Sequence, residues 1–116
     1  ATVFSPEVTR QVLAYMRATV TSGTGRAADV PGLAIAGKTG TAELFGGATG
    51  YDERRNFSSF AGVFPAHDPR YVIVVSLDGV GEGAVGGAIA APVVARTLRR
   101  IAPMLGLRVE PAAQTR

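Results

Sequence analysis

A single lysine stands among eleven arginines in this chain of 116 residues: Lys38, in the run Gly37-Lys38-Thr39-Gly40-Thr41. A guanidinium stays protonated in proteins, whereas an ammonium can give up its proton where its surroundings favour that, so the one lysine is where proton chemistry is sought. Thr39 and Thr41 add hydroxyls beside it, and Gly40 leaves out a Cβ. A cation, hydroxyls and an open backbone are what a sheet edge needs to take a peptide as an added strand and hold its carboxylate and carbonyl. Thr39 and Thr41 alternate with Lys38 and Gly40 along a strand, so a strong twist at the edge is expected to bring both hydroxyls to the ligand rim. The Thr41 N–H is then free to face a developing oxyanion, a donor whose loss typically costs about a hundred- to a thousandfold in rate.

The same lysine completes a second pattern. Gly32-Leu33-Ala34-Ile35-Ala36-Gly37-Lys38-Thr39 matches GxxxxGK[ST], which cradles nucleotide phosphates when a buried strand precedes it and a helix opens at the lysine. Neither context is read here. Arg26 to Pro31 is no apolar strand, Gly40 interrupts any helix at once, and Leu33-Ala34-Ile35-Ala36 reads as strand rather than as a phosphate-wrapping loop.

The elements that must position these residues follow from spacing. Ser5-Pro6-Glu7 is a helix start, with N-cap, first-turn proline and first-turn acid, and Val8, Val12, Tyr15, Met16 and Val20 fall at helical spacing as a core-facing stripe. Thr21 to Gly25 ends that helix. Gly46 to Gly50 leads into Asp52-Glu53-Arg54-Arg55-Asn56, read as an exposed loop. Ser58 to Phe64 and Tyr71 to Leu77 read as strands joined by the turn Pro65-Ala66-His67-Asp68-Pro69-Arg70. Tyr71 to Val75 is apolar at every position, which predicts a strand covered on both faces. A glycine-rich loop, Gly79 to Gly87, precedes a last helix from about Ala88 to Ile101, with Ala90, Val94, Leu98 and Ile101 inward and Arg96, Arg99 and Arg100 outward. Pro103 and Gly106 close it, and Glu110 to Arg116 reads as a frayed tail. The layout is α+β, an antiparallel sheet of about three strands flanked by N- and C-terminal helices.

Lys38-Thr39-Gly40 is also a motif shared by class A β-lactamases and penicillin-binding proteins. Over nearly its whole length the chain resembles the C-terminal part of the transpeptidase domain of class B penicillin-binding proteins. Gly23-Thr24-Gly25 and Ala36 to Glu43 resemble that family's turn and active-site strand, and Ser59 to Ala66 with Asp68-Pro69-Arg70-Tyr71 its next hairpin. Gly86-Gly87 with Ala90-Ala91-Pro92-Val93 resembles the start of its final helix. Asn56 to Phe60 and Ile101 to Gly106 are more similar to the cell-division branch than to the elongation branch.

The resemblance implies a partial penicillin-binding and β-lactamase-like fold, and D,D-transpeptidation of peptidoglycan stem peptides through an acyl-serine, with β-lactams as acylating mimics. It implies that Lys38 holds the electrostatic and proton network near the nucleophile. Thr39 and Thr41 would bind the substrate or antibiotic carboxylate, with Gly40 leaving room for it, and the Thr41 N–H would form half of the oxyanion hole. The nucleophile motif S-x-x-K is absent, since Ile35 lies three places before the only lysine, and no serine has an asparagine two places later. Residues 1–116 are therefore expected to be one wall of a transpeptidase site, inactive alone, whose sheet edge and apolar helix faces need covering by the upstream part of the same domain, by another chain or by self-association. A periplasmic address, a membrane anchor and cell-division partners are implied in the same way. A β-lactamase or D,D-carboxypeptidase relative, a P-loop-like nucleotide-binding module and a non-catalytic interaction module stand as alternatives.

Composition narrows the classes further. Apolar residues at 47% and charged residues at 18% argue against disorder, and no run approaches the eighteen consecutive apolar residues of a membrane span. With no cysteine there is neither a disulfide scaffold nor a thiolate metal site. Asp52-Glu53, Asp78 and Glu82 lack metal-ligand spacing and are read as solvated charges, so neither metal nor cofactor is expected. His67, the one histidine, is read as a solvated turn residue. The formal charge of +3 and the arginine clusters lack interleaved aromatics, which argues against nucleic acid as a partner. Tyr51 is a candidate for the substrate groove, and Phe57 is read as core.

Overall fold

The computed structural model describes residues 1–45, 50–81 and 85–111, with the side chains at 44–45 and 51–55 left aside. Five main elements follow one another: α1 (Pro6–Ser22), β1 (Ala36–Phe45), β2 (Tyr51–Phe64), β3 (Tyr71–Val80) and α2 (Gly86–Ile101). The α+β expectation holds. The strands form one antiparallel sheet in the order β1-β2-β3, which leaves β1 and β3 as its edges.

α1 begins where capping chemistry places it. Ser5 accepts a hydrogen bond from the Val8 N–H at 3.3 Å, Pro6 stands in the first turn, and the Gly23 N–H closes the other end on the Thr19 carbonyl. α2 opens at Gly86, two residues earlier than expected, and carries Pro92 inside. The missing N–H of Pro92 frees the carbonyl four residues back, at Ala88, which is exposed and open to water.

The core lies between one face of the sheet and the helices. Phe60 and Phe64 of β2 meet Val20 of α1, Leu33 and Ile35 of the approach to β1, and Ala90, Ala91, Val94 and Leu98 of α2, all essentially inaccessible. The inward stripe of α2 matches its expected spacing with Ile101 half-buried, and Arg96, Arg99 and Arg100 are exposed. Ile73 and Val75 of β3 border this core, and the rings of Phe64 and Tyr71 stack 5.3 Å apart at its end. Gly37 and Gly62 lie flat against Phe60: a Cβ on Gly37 would stand 2.3 Å from its Cζ, and one on Gly62 2.8 Å from its Cε1. The ring fills the volume those two side chains would take.

Five expectations are corrected. Asp52 to Asn56 is part of β2, which starts at Tyr51, so the polar run continues a strand paired with β1. β3 is not covered on both faces: Val72 and Val74 are 74% and 62% exposed while their neighbours turn inward. β3 also runs on through Gly79 to Val80. The α1 stripe is largely uncovered too, with Val8 at 44%, Val12 at 48% and Tyr15 at 72%, and only Val20 of that set is buried. Leu33 to Ile35 is a turn and an extended link, Gly32 and Ala34 both having positive φ, and β1 begins only at Ala36. The glycine segment at 46–49, the loop at 82–84 with Glu82, and the tail from 112 lie outside the described residues.

Candidate active site

β1 pairs with β2 in the register Lys38↔Ala61, Thr39↔Phe60, Gly40↔Ser59 and Thr41↔Ser58. Residues directly opposite in an antiparallel pair share a face. Thr39 and Thr41 therefore lie on the face of Phe60 and Ser58, the side covered by α2, whereas Lys38 and Gly40 lie on the face of Ala61, Ser59 and the exposed valines. The expected edge position of the strand is observed: β2 is its one partner among the described residues.

Two long-range contacts fix the hydroxyls. The Gly86 N–H, first in α2, donates to Thr41 Oγ1 at 3.0 Å. Thr39 Oγ1 lies 2.9 Å from Thr24 Oγ1, which belongs to the turn after α1. Lys38 folds over the edge so that Nζ donates to the Thr39 carbonyl at 2.8 Å and reaches Thr39 Oγ1 at 3.4 Å. Lys38 and Thr39 thus meet although they start on opposite faces. Thr24, Thr39, Thr41, Val85, Gly86, Gly87 and Ala88 line a cleft of about 500 Å³ at the α2 N-terminus. Helix N-termini favour negative charge, so a cleft with three hydroxyls, an adjacent ammonium and this helix end suits an anionic group such as a carboxylate.

Close approach of α2 to β1 depends on its first two residues. A Cβ on Gly86 would stand 2.6 Å from the Gly40 carbonyl oxygen and 2.7 Å from that of Ser59, and one on Gly87 would stand 2.3 Å from the Thr24 carbonyl oxygen. Gly40 itself faces a different neighbour from the one expected: the place of its absent Cβ lies 2.6 Å from Ser59 Oγ, so the open space there is shared with a cross-strand hydroxyl. Ser58, opposite Thr41, is fully buried, and its Oγ has no hydrogen-bond partner among the described residues.

In the sequence, Thr24 reads as part of a helix end and Gly86-Gly87 as the close of a glycine-rich loop, and the resemblance includes all three without a site role. Their signal was the doubled glycine before a helix and the Gly-Thr-Gly turn, but the partner of each lies far along the chain. A larger cleft, about 800 Å³, lies between α1 and the β2–β3 turn, lined by Phe4, Arg10, Leu13, Arg17 and His67 among others. It contains none of the β1 residues, and Arg17 is already engaged by Asp29 and the Ile35 carbonyl, so the chemistry is assigned to the smaller one. His67 is exposed in its turn, as expected. The phosphate-loop reading fails on placement: Lys38 sits inside a strand, not at the start of a helix.

The family model for the penicillin-binding protein transpeptidase domain matches residues 1–99. The chain belongs to that family. It is 40% identical to a probable peptidoglycan D,D-transpeptidase FtsI of Caulobacter vibrioides, over 91% of this chain and 20% of that protein. It is 38% identical to the stage V sporulation protein D of Bacillus subtilis, over 91% of this chain and 16% of that one. Among solved structures, penicillin-binding protein 3 of Mycobacterium tuberculosis in complex with ampicillin superposes with a TM-score of 0.75 at 30% identity, covering 97% of this chain and 27% of that one. This member of the transpeptidase family thus spans about a fifth or less of the length of these two curated relatives.

Proposed function

We propose that this chain is the C-terminal wall of the active site of a class B, septal-type peptidoglycan D,D-transpeptidase, and that β-lactams acylate the enzyme it belongs to. The observation that carries the reading is the convergence on one cleft of Thr39 and Thr41 of an edge strand, with Lys38 folded beside them and a helix N-terminus behind. The names of the relatives support the reaction class, and the ampicillin complex of a structural neighbour supports the inhibitor class.

In this reading the stem peptide lies antiparallel along β1, its carboxylate held by the Thr39 and Thr41 hydroxyls and by the charge of Lys38. The Thr41 N–H supplies one donor to the oxyanion formed when a serine from the upstream part of the domain attacks the scissile carbonyl. That addition places negative charge on the carbonyl oxygen. Its collapse expels the terminal amine, which leaves with a proton, and the amine of a second stem peptide then attacks the acyl-serine and restores the hydroxyl. This sequence lacks S-x-x-K, so both the nucleophile and its base come from elsewhere in the enzyme. The upstream part of the domain, a membrane anchor placing it on the periplasmic side, and cell-division proteins are the partners this role requires.

The test is intact mass after incubation with benzylpenicillin, for a full transpeptidase carrying this segment, its Lys38→Ala variant and the 116-residue chain alone. One covalent adduct on the full enzyme, slower labelling of the variant and none on the short chain are expected. A folded full enzyme that takes up no penicillin overturns the reading.

A further inference from the structure

Gly23-Thr24-Gly25 is built as a rigid mount. The N–H groups of both Gly23 and Gly25 donate to the same acceptor, the Thr19 carbonyl, each at 3.0 Å, so the turn folds back on the last turn of α1. Gly87 presses on it from the other side, where even a Cβ would stand 2.3 Å from the Thr24 carbonyl oxygen. The one side chain this mount presents is the Thr24 hydroxyl, and it reaches Thr39 Oγ1 at 2.9 Å on the wall of the cleft.

We propose that Thr24 is a positioning residue that orients the Thr39 hydroxyl so that its proton is directed at the ligand's carboxylate. The proposal rests on the transpeptidase reading above. A hydroxyl has two lone pairs and one proton. The Lys38 ammonium can only donate, and its contact at 3.4 Å occupies one lone pair of Thr39 Oγ1. With Thr24 donating into the other, the only capacity left to Thr39 is its own O–H. Thr41 Oγ1 accepts from the Gly86 backbone N–H, a donor that cannot reverse, which leaves it its own O–H and one lone pair. A hydroxyl held as a donor, beside a second that is able to donate, suits an ionised carboxylate, which only accepts, better than an ester or amide, which accepts more weakly. The cleft therefore discriminates by hydrogen-bond polarity as well as by charge, and Thr24 sets the polarity of Thr39.

The experiment measures acylation rates of the full transpeptidase carrying this segment, with benzylpenicillin and with its methyl ester, for the parent, Thr24→Val and Thr24→Ser. Valine matches threonine in shape and removes only the hydroxyl, and Thr24 has no left-handed backbone to strain. Thr24→Val is expected to slow acylation by benzylpenicillin about three- to tenfold, the worth of one neutral hydrogen bond. The slower reaction of the methyl ester should be unchanged, and Thr24→Ser should restore the parental rate. If Thr39 were instead the donor in the pair, Thr24→Val would release its proton, and the rate with benzylpenicillin would hold or rise; that result overturns the proposal. An equal loss with both compounds, or a loss that serine does not restore, also overturns it by reducing Thr24 to a structural role. A parent that reacts with neither compound overturns the transpeptidase reading itself, a failure distinct from the other two.

Discussion

Gly86 and Thr41, 45 residues apart, are joined by a 3.0 Å hydrogen bond from the first N–H of α2 to a hydroxyl of β1. The helix that supplies more of the buried core than any other element thereby also sets the side-chain geometry of the strand that carries Lys38.

Gly86→Ala is the direct probe of that joint. The new Cβ would meet backbone atoms on two strands, Gly40 O at 2.6 Å and Ser59 O at 2.7 Å, and backbone cannot swing aside as a side chain can. Loss of about 1–3 kcal/mol is expected, typical of overpacking at a tight site. Calorimetry of the full enzyme should show a lowered Tm, and its penicillin labelling should slow. An unchanged Tm would mean that α2 sits farther from β1 than described.

Gly37→Ala tests the packing beneath the strand. Its Cβ would lie 2.3 Å from Phe60 Cζ and 2.8 Å from the Ala61 carbonyl oxygen. The first conflict is with a ring and the second with backbone, so Phe60→Leu should relieve only part of the damage. A double-mutant cycle followed by denaturant unfolding should give a favourable coupling of about 0.5–3 kcal/mol between the two sites. Simple additivity would contradict the contact.

Arg17 ties α1 to the approach of the active strand. Its Nη1 donates to Asp29 Oδ1 at 2.9 Å and to the Ile35 carbonyl at 2.7 Å, with about a third of each charged side chain exposed. Arg17→Ala is expected to cost about 1–2 kcal/mol, mostly through the unpaired carbonyl, because solvent screens the partly exposed ion pair. Asp29→Asn should cost less than Arg17→Ala in the same unfolding assay. The reverse order would place the stability in the ion pair.

The open face of the sheet, with Val72 and Val74, and the uncovered stripe of α1, with Val8, Val12 and Tyr15, are apolar surfaces of the kind that associate. The 116-residue chain by itself is expected to self-associate with rising concentration in sedimentation experiments. The pair Val72→Thr and Val74→Thr should weaken that association while changing unfolding free energy by no more than about 0.5 kcal/mol each. A chain that stays monomeric at high concentration would refute the expectation.

Local chemistry determined much of this protein in advance. Ser5 and Pro6 placed the start of α1, the spacing of Ala90, Val94 and Leu98 placed the inward face of α2, and the turn Pro65 to Arg70 placed the β2–β3 hairpin, because caps, periodicity and turn residues act within a few positions. The Lys38-Thr39-Gly40-Thr41 strand was legible for the same reason, a rare lysine amid hydroxyls and glycine. Burial was not, since Val72, Val74, Val8 and Tyr15 have the composition of core residues and differ from Val20 only in what packs over them. Nor was the polarity of the cleft: Thr24 meets Thr39 across 15 residues and Gly86 meets Thr41 across 45. A hydroxyl's role depends on which donor points at it, and that direction exists only once helix and strand have packed.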